Sequence, residues 1–407
     1  MVRLHDVIPG RMRLGILLNI VGIVNISIHS NSLSLENFRE IIMLVKKMKK
    51  RDSLLQEIIE EVIKDRPELL KNKRELSRLI TSAIEKSLPE CAKLLYDSLK
   101  LSSSEMLEEH RLLRQEFEAR LHRRWSRALN LLEILIVLSC ESGEMFLEQI
   151  FDDRTISGNE EVCEVIVRLH ARACRVAREV LTLLRSGYAD GALARWRTLH
   201  ELTTTAFFVA KHGKNIAIQY LEYEDIERYY EMLVYQKNCD ALGYEPLAEE
   251  EIQAIVCRKD ELVKKYGEEF IKEYGWTLGV LPKGQRSFKH VEENVDFGHW
   301  RSYYKLANHV VHSGPKGSIY TLGNIYDDEL LLAGASNYGL ATPGQNTGIS
   351  LVQITTCLLT INPSVQMLII SQVLQLFLEE LCNEFVRIEK QIEQEETEIR
   401  MSEMIGD

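Results

Sequence analysis

The stretch Val162-Cys-Glu-Val-Ile-Val-Arg-Leu-His-Ala-Arg-Ala-Cys-Arg-Val-Ala-Arg-Glu-Val-Leu-Thr-Leu183 decides the fold class. Its apolar residues Val162, Val165, Ile166, Leu169, Ala173, Val176, Val180 and Leu183 return every three or four positions, the period of one face of an α-helix. Gly187 ends this helix. A second begins near Gly191, with Leu193, Trp196, Leu199, Thr203, Ala206 and Phe207 turned inward. A connection this short makes the two helices antiparallel neighbours. The stretch therefore predicts an all-α protein, a multi-helix bundle.

The same period extends outward in both directions. From Leu35 to about Leu101 the pattern is helical, with Leu54, Leu55, Ile58, Ile59, Val62 and Ile63 on one face. Pro67 and Pro89 sit where helix starts would tolerate them. Ser102 followed by Glu105 reads as a capping box, opening a helix that continues through Arg127 towards Cys140. Glu141–Asn159, with Gly143 and Gly158, reads as a break. Beyond Gly187 the expected elements are helices over Gly191–His212, Ile216–Leu242, Glu249–Tyr274 and Phe297–His312, with a loop over Gly275–Phe288. Ser313–Gly348 holds seven of the 22 glycines. It reads as a long irregular loop with a small hairpin from Ile319–Leu322 to Leu330–Leu332. Two apolar helices split at Asn362-Pro363 follow, and Glu384–Arg400 is a charged helix. The expected division is 1–42 (an N-terminal segment), 43–140 (an N-terminal helical region), 155–385 (a helical core domain) and 386–407 (a charged C-terminal helix).

With 407 residues, 45% hydrophobic and 27% charged, the chain has the composition of a globular protein with ample core. The net charge of −11 is uneven: Lys and Arg outnumber Asp and Glu by 24 to 18 across residues 1–130 and are outnumbered 26 to 43 in the remainder. A basic leading region on an acidic body suggests either an anionic partner or a mixed-charge helical surface. None of the eight cysteines forms a CxxC pair, which removes zinc-finger and thioredoxin-type readings. Free thiols among apolar residues point to a reducing, cytoplasmic setting. Arg11–Ile28 has the positive start and apolar run of a signal-peptide core. Asn19 and Asn25 interrupt it, and it is too short and polar to span a bilayer. It reads as a buried or partner-seeking segment, or as upstream sequence with Met43 as the effective start.

No HExxH, GxSxG or GxGxxG occurs, and Gly279-Val-Leu-Pro-Lys-Gly-Gln285 lacks the Lys-Ser/Thr of a phosphate loop. His290, His299, Glu292, Glu293 and Asp296 match no metal-ligand spacing. Neither metal nor cofactor is expected.

Candidate chemistry lies on two helices. On Phe297–Ser313, Trp300, Tyr304, Ala307 and Val311 form the apolar face. Arg301, Asn308 and His312 share one narrow stripe beside it, with Lys305 at its edge. Arg301, Asn308 and Lys305 are candidate substrate-binding residues. His312, where the helix yields to Ser313-Gly-Pro315, is a candidate proton carrier favoured in its charged form by the helix dipole. The alternative is a histidine capping its own helix beside a plain polar surface. On the second helix, Arg197 and Glu201 stand i to i+4 and pair on one face. His200 flanks the apolar side and Arg195 the opposite side. These four complete the candidate catalytic set, against the alternative of an ordinary surface ion pair. Farther upstream, Arg120, Arg123, Arg124 and Arg127 present one basic face near Trp125. That face suits nucleic-acid phosphates, or else is solvated or paired with the acidic C-terminal half.

Arg195-x-x-x-x-His200 resembles the Arg-x(4–6)-His motif of the HEPN superfamily, all-helical proteins that include many ribonucleases of toxin and antiviral systems. That resemblance implies that the Arg and His act on an RNA phosphate, often across a dimer. Positions five apart on an ideal helix point about 140° from each other, so convergence would need distortion or a second subunit. A broader resemblance covers roughly residues 160–385. It rests on Ala194-Arg-Trp-Arg197…Glu201, on Tyr220-Leu-Glu-Tyr-Glu-Asp225, and on Tyr303-Tyr-Lys-Leu-Ala-Asn-His-Val-Val-His312-Ser313. These resemble a bacterial family catalogued only as a domain of unknown function. It implies that Arg197, Glu201 and His312 are signature polar positions, and His309 leaves open which histidine is the one that matters.

The leading expectation is a metal-independent ribonuclease or toxin-like effector of a bacterial defence or stress system, acting on RNA as a homodimer. The first alternative is a non-catalytic helical subunit that binds nucleic acid or a partner protein. The second is a small-molecule sensor whose tyrosines and Arg/His stripe line a ligand pocket.

Overall fold

The computed structural model describes residues 73–153, 158–312, 314–324 and 332–405. Expectations for residues 1–72 lie outside these. The described residues form α1 (Lys73–Asp153), α2 (Glu160–Arg185), α3 (Ala189–His212), α4 (Lys214–Leu242), α5 (Glu249–Tyr266), α6 (Phe288–Asn294), α7 (Arg301–Val311), α8 (Pro315–Ile319), α9 (Ala341–Leu359) and α10 (Val365–Ile405), and no strand. Single 3-10 turns stand at Gly275–Thr277 and Gly298–Trp300. The fold is an all-α bundle, as the apolar period predicts.

The chain divides into two compact units, residues 1–117 and 118–407. The break read at Glu141–Asn159 therefore falls inside the second unit. In the first unit the described part is the leading half of α1. Two expected helix starts are absent there. Pro89 lies within the helix, and Ser102 Oγ donates to the Ser98 carbonyl at 3.2 Å, the back-bond available to a hydroxyl inside a helix, instead of capping one.

In the second unit α1 runs on to Asp153, so Gly143 is helical. A Cβ there would come within 2.9 Å of the His170 ring on α2. This glycine permits close packing where the sequence suggested a break. On α2, the predicted residues Val162, Val165, Ile166, Leu169, Ala173, Val176 and Val180 are all buried. Leu183 is half-buried and Leu184 takes the buried position. α2 and α3 pack as neighbours, and α9 packs against both and against α10. α4 packs on α2 and on α5, where Ile226, Leu262 and Phe270 form a small core.

The glycine-rich region is less irregular than its composition suggests. α8, with Pro315 in its first turn, lies just before the expected hairpin and takes in its first residue, Ile319, while 320–324 are turn and coil. The returning residues 330 and 331 lie outside the described ones. α9 already begins at Ala341, because Gly344 and Gly348 are packing positions: a Cβ on Gly344 would fall 2.3 Å from Phe385, and one on Gly348 3.1 Å from Leu381, both on α10. Pro343 is in the first turn, where its missing N–H costs nothing. Asn362-Pro363 splits α9 from α10 as expected. The charged end, Glu384–Arg400, continues α10 and is not a separate helix. α10 carries one stretch apolar and long enough to cross a bilayer by length and composition alone, while its Met367, Leu374, Leu378 and Leu381 are buried.

Gly344→Ala sets two effects against each other. Helix propensity favours alanine by about 1 kcal/mol, while overpacking a fixed, buried ring costs about 1–3 kcal/mol. Phe385 is fully buried, so overpacking should win. Thermal unfolding of Gly344→Ala should show a lower midpoint than wild type; an unchanged or raised midpoint would refute this packing.

Candidate functional site

The centre is built where α3, α6 and α7 meet. On α6 and the residue that caps it, Phe288, Val291 and Val295 make the inward face, and Glu292 lies among them at zero exposure. Leaving an isolated carboxylate there would be costly, so its partners define the site. Glu292 Oε1 accepts from His200 Nε2 on α3 at 2.8 Å. Glu292 Oε2 accepts from Arg301 Nη1 on α7 at 3.1 Å. Arg301 balances the carboxylate charge, and His200 supplies a further donor. Aromatic rings enclose His200. Trp196 stacks on it at 5.3 Å, Phe288 meets it edge-on at 5.8 Å, and Tyr304 lies 6.1 Å away. His200 Nδ1 is buried without a hydrogen-bond partner.

One turn along α7, Tyr304 joins this pair to a second one. Its hydroxyl donates to Glu201 Oε1 at 2.6 Å, and Arg197 Nε donates to the same oxygen at 3.0 Å. The Arg197 and Arg301 guanidiniums both lie against the Tyr304 ring, 4.8 and 4.9 Å from its centre, a cation–π arrangement. Burial, then the bond to Glu201, pushes the Tyr304 hydroxyl up to about 12. Burial opposes the charge on Arg197, but the Glu201 carboxylate and Tyr304 outweigh it and hold Arg197 above its ordinary value. Tyr274, in a left-handed backbone conformation, is pushed up by burial and by the nearby charge of Glu201. Tyr220 packs edge-on against Trp276 at 5.1 Å, and Tyr223 donates to the Lys272 carbonyl at 2.8 Å. The Tyr-rich segment of α4 thus fixes the turn that carries Tyr274.

The sequence candidates divide sharply. Arg197, Glu201, His200 and Arg301 come together. His200 has zero exposure and its Nε2 is taken by Glu292, so the ring presents no free nitrogen to solvent. Arg195 turns elsewhere: it pairs with Glu179 of α2 and donates to Thr198 Oγ1 at 3.3 Å. Within the chain Arg195 and His200 thus do not converge, because an undistorted helix points them to different partners. Lys305 and His312 are exposed, and Asn308 is half-buried with its Oδ1 buried and without a hydrogen-bond partner. No side-chain hydrogen bond or ion pair among the described residues ties these three to the cluster.

Of the basic face on α1, Arg124 pairs with Glu395 at 2.7 Å and Arg127 with Glu380 at 3.0 Å, both on α10. Those two are tied to acidic neighbours. Arg123 is exposed and Arg120 half-buried.

Glu292 and Tyr304 were not among the predicted site residues. Glu292 had a legible signal: a carboxylate at the third position of the apolar row Phe288, Val291, Glu292, Val295. Tyr304 was read only as apolar surface. Its hydroxyl partner, 103 residues away, has no local signature.

Residues 164–329 match a family of unknown function (DUF5677). The matched span is shorter than the resemblance at 160–385 and runs from α2 through α8. It contains Arg197, His200, Glu201, Glu292, Arg301, Tyr304 and His312. No curated protein and no solved structure matches the chain.

Glu292→Ala would strand His200 and Arg301 together. Leaving the buried His200 donor without its acceptor costs about 1–3 kcal/mol, so urea unfolding should show a loss of about that size. Glu293→Ala, at a half-exposed neighbour paired with Lys289, should change stability little. Equal effects would remove Glu292 from the centre of the site.

Proposed function

We propose that this chain is a metal-independent ribonuclease whose phosphate clamp is Arg197 with Arg301 and whose proton carrier is His312. The carrying observation is the convergence of two part-exposed guanidiniums on one tyrosine ring. Their carboxylate partners fix their orientation beforehand, Glu292 from a fully buried position. Arginine forks of this kind suit bidentate phosphate contacts. They would also offset the charge that develops on a phosphoryl oxygen. His312 is exposed at the end of α7, the helix that carries Arg301. A neutral imidazole there would take the ribose 2′-OH proton as that oxygen attacks phosphorus, and the charged form would return a proton to the leaving 5′ oxygen. Asn308 and Lys305 lie between Arg301 and His312 along α7 and would extend the substrate path. A second copy of the chain is the proposed partner. The exposed apolar row Val365, Leu368, Ile369 and Leu376 on α10 supports this. The setting proposed is the cytoplasm, in a bacterial defence or stress system.

A second reading is favoured by the charge pairing itself. Arg197 and Arg301 each already hold a carboxylate, so the same face would serve a non-catalytic subunit that binds RNA or an acidic partner.

Incubation with single-stranded RNA in the presence of a chelator separates the two. The ribonuclease reading expects cleavage by wild type, loss of cleavage with retained binding in His312→Ala, and loss of both in Arg197→Ala/Arg301→Ala. RNA that is bound yet intact at high protein concentration would favour the second reading and end the first.

A further inference from the structure

A second reactive cluster lies between α1 and α2. Cys140 on α1 and Cys174 on α2 line one groove, in the stretch where Gly143 of α1 packs against the His170 ring of α2. Arg178, one turn beyond Cys174, donates from Nη2 to the same sulfur at 3.5 Å. A groove of about 400 Å³ opens beside both sulfurs, lined by Ala171, Arg175, Arg178, Glu179 and Thr182. Cys140 is partly exposed, while Cys174 is buried.

The surrounding charges favour an unequal pair. The hydrogen bond from Cys174, then the contact with Arg178, draws the Cys140 thiol down to about 6, although burial and Glu144 oppose this. Cys174 is driven upward, first by the same hydrogen bond and then by burial. Glu133, nearby, is held by Arg185 at 2.5 and 3.2 Å. Behind the sulfurs, His170 Nε2 lies 3.7 Å from Cys174 Sγ and 3.1 Å from Thr355 Oγ1. Thr355 gives its own proton to the Leu351 carbonyl at 2.8 Å, so His170 donates to it through Nε2–H. Burial lowers His170 to about 4; it is neutral at pH 7, which leaves Arg178 as the cation facing Cys140. The other shifted thiols, Cys163, Cys357 and Cys382, are all raised by burial. Low-pKa thiolates beside a guanidinium, with access and a second thiol in reach, are the ones that react with oxidants.

We propose that Cys140 and Cys174 form a hydroperoxide-reactive dithiol, with Cys140 as nucleophile and Cys174 as resolving thiol. The Cys140 thiolate attacks one oxygen of the hydroperoxide. The S–O bond forms, the O–O bond breaks, and the departing oxygen takes a proton from solvent and leaves as alcohol or water. Cys140 is now a sulfenic acid, oxidised by two electrons. The Cys174 sulfur then displaces its oxygen, the S–S bond forms, and the Cys174 proton leaves with that oxygen as water. The two electrons lost by the dithiol are those gained by the peroxide. This chemistry does not depend on the proposed ribonuclease activity.

Peptide mapping of the full-length protein tests it. Wild type is treated with equimolar hydrogen peroxide, free thiols are blocked with N-ethylmaleimide, and the digest is read by mass spectrometry. The expected result is a Cys140–Cys174 linked peptide, with exposed Cys257 still carrying the maleimide. In Cys174→Ser, Cys140 should be captured by dimedone as the sulfenic acid. In Arg178→Gln, iodoacetamide labelling of Cys140 at pH 7 should slow several-fold. Oxidation of Cys257 ahead of Cys140 in wild type, or conversion of Cys140 to the sulfinic acid with no linked peptide, would overturn the proposal. Because the primary readout uses wild type, misfolding of either variant would not disable it.

Discussion

A carboxylate with no solvent exposure organises the α3–α6–α7 junction. Taking an ion out of water costs several kcal/mol even after relaxation, so Glu292 is tolerable only while both its oxygens are occupied. His200 fills one and Arg301 the other. This ties together residues 92 positions apart on one side and 9 on the other. The rest of the centre follows from that junction. With Arg301 anchored, its guanidinium lies on Tyr304; with Tyr304 seated, its hydroxyl reaches Glu201; and Glu201 holds Arg197. The outward-facing arginines are thus oriented by buried chemistry behind them.

What the sequence made legible was whatever is periodic or local. The α2 and α3 stripes follow from three- and four-residue spacing, and the Arg197–Glu201 pair from a separation of four. Residues whose meaning depends on a distant neighbour were misread. Gly143, Gly344 and Gly348 carry the composition of loops, yet each is a place where a ring or a leucine presses against a helix backbone. Ser102 and Glu105 have the spacing of a cap but lie inside a longer helix. The arginine face on α1 was legible only as a choice between a phosphate stripe and pairing with the acidic C-terminal half; Arg124 and Arg127 take the pairing, with partners 271 and 253 residues away. His200 looked like a catalytic base because its position beside the apolar face leaves open how deeply the ring is covered.

The two polar clusters meet through α2. Arg178 serves the Cys140 sulfur, and the next residue, Glu179, lines the same groove and holds Arg195 on α3. Arg195 is two residues from Arg197. α2 therefore presents adjacent side chains to the thiol pair and to the helix bearing Arg197. The first contact favours the charged form of a sulfur; the second holds the side of α3 that faces away from Glu292.

The proposed function requires Arg301, and not the exposed basic stripe, to be the contact for a phosphate chain. Calorimetric titration of a 2′-O-methyl RNA oligonucleotide, which binds but has no free 2′-OH to react, measures this directly. A charge-assisted hydrogen bond is worth about 1.5–3 kcal/mol, so Arg301→Ala should weaken binding by roughly tenfold or more, while Arg123→Ala leaves it unchanged. Binding lost in Arg123→Ala and kept in Arg301→Ala would contradict the account.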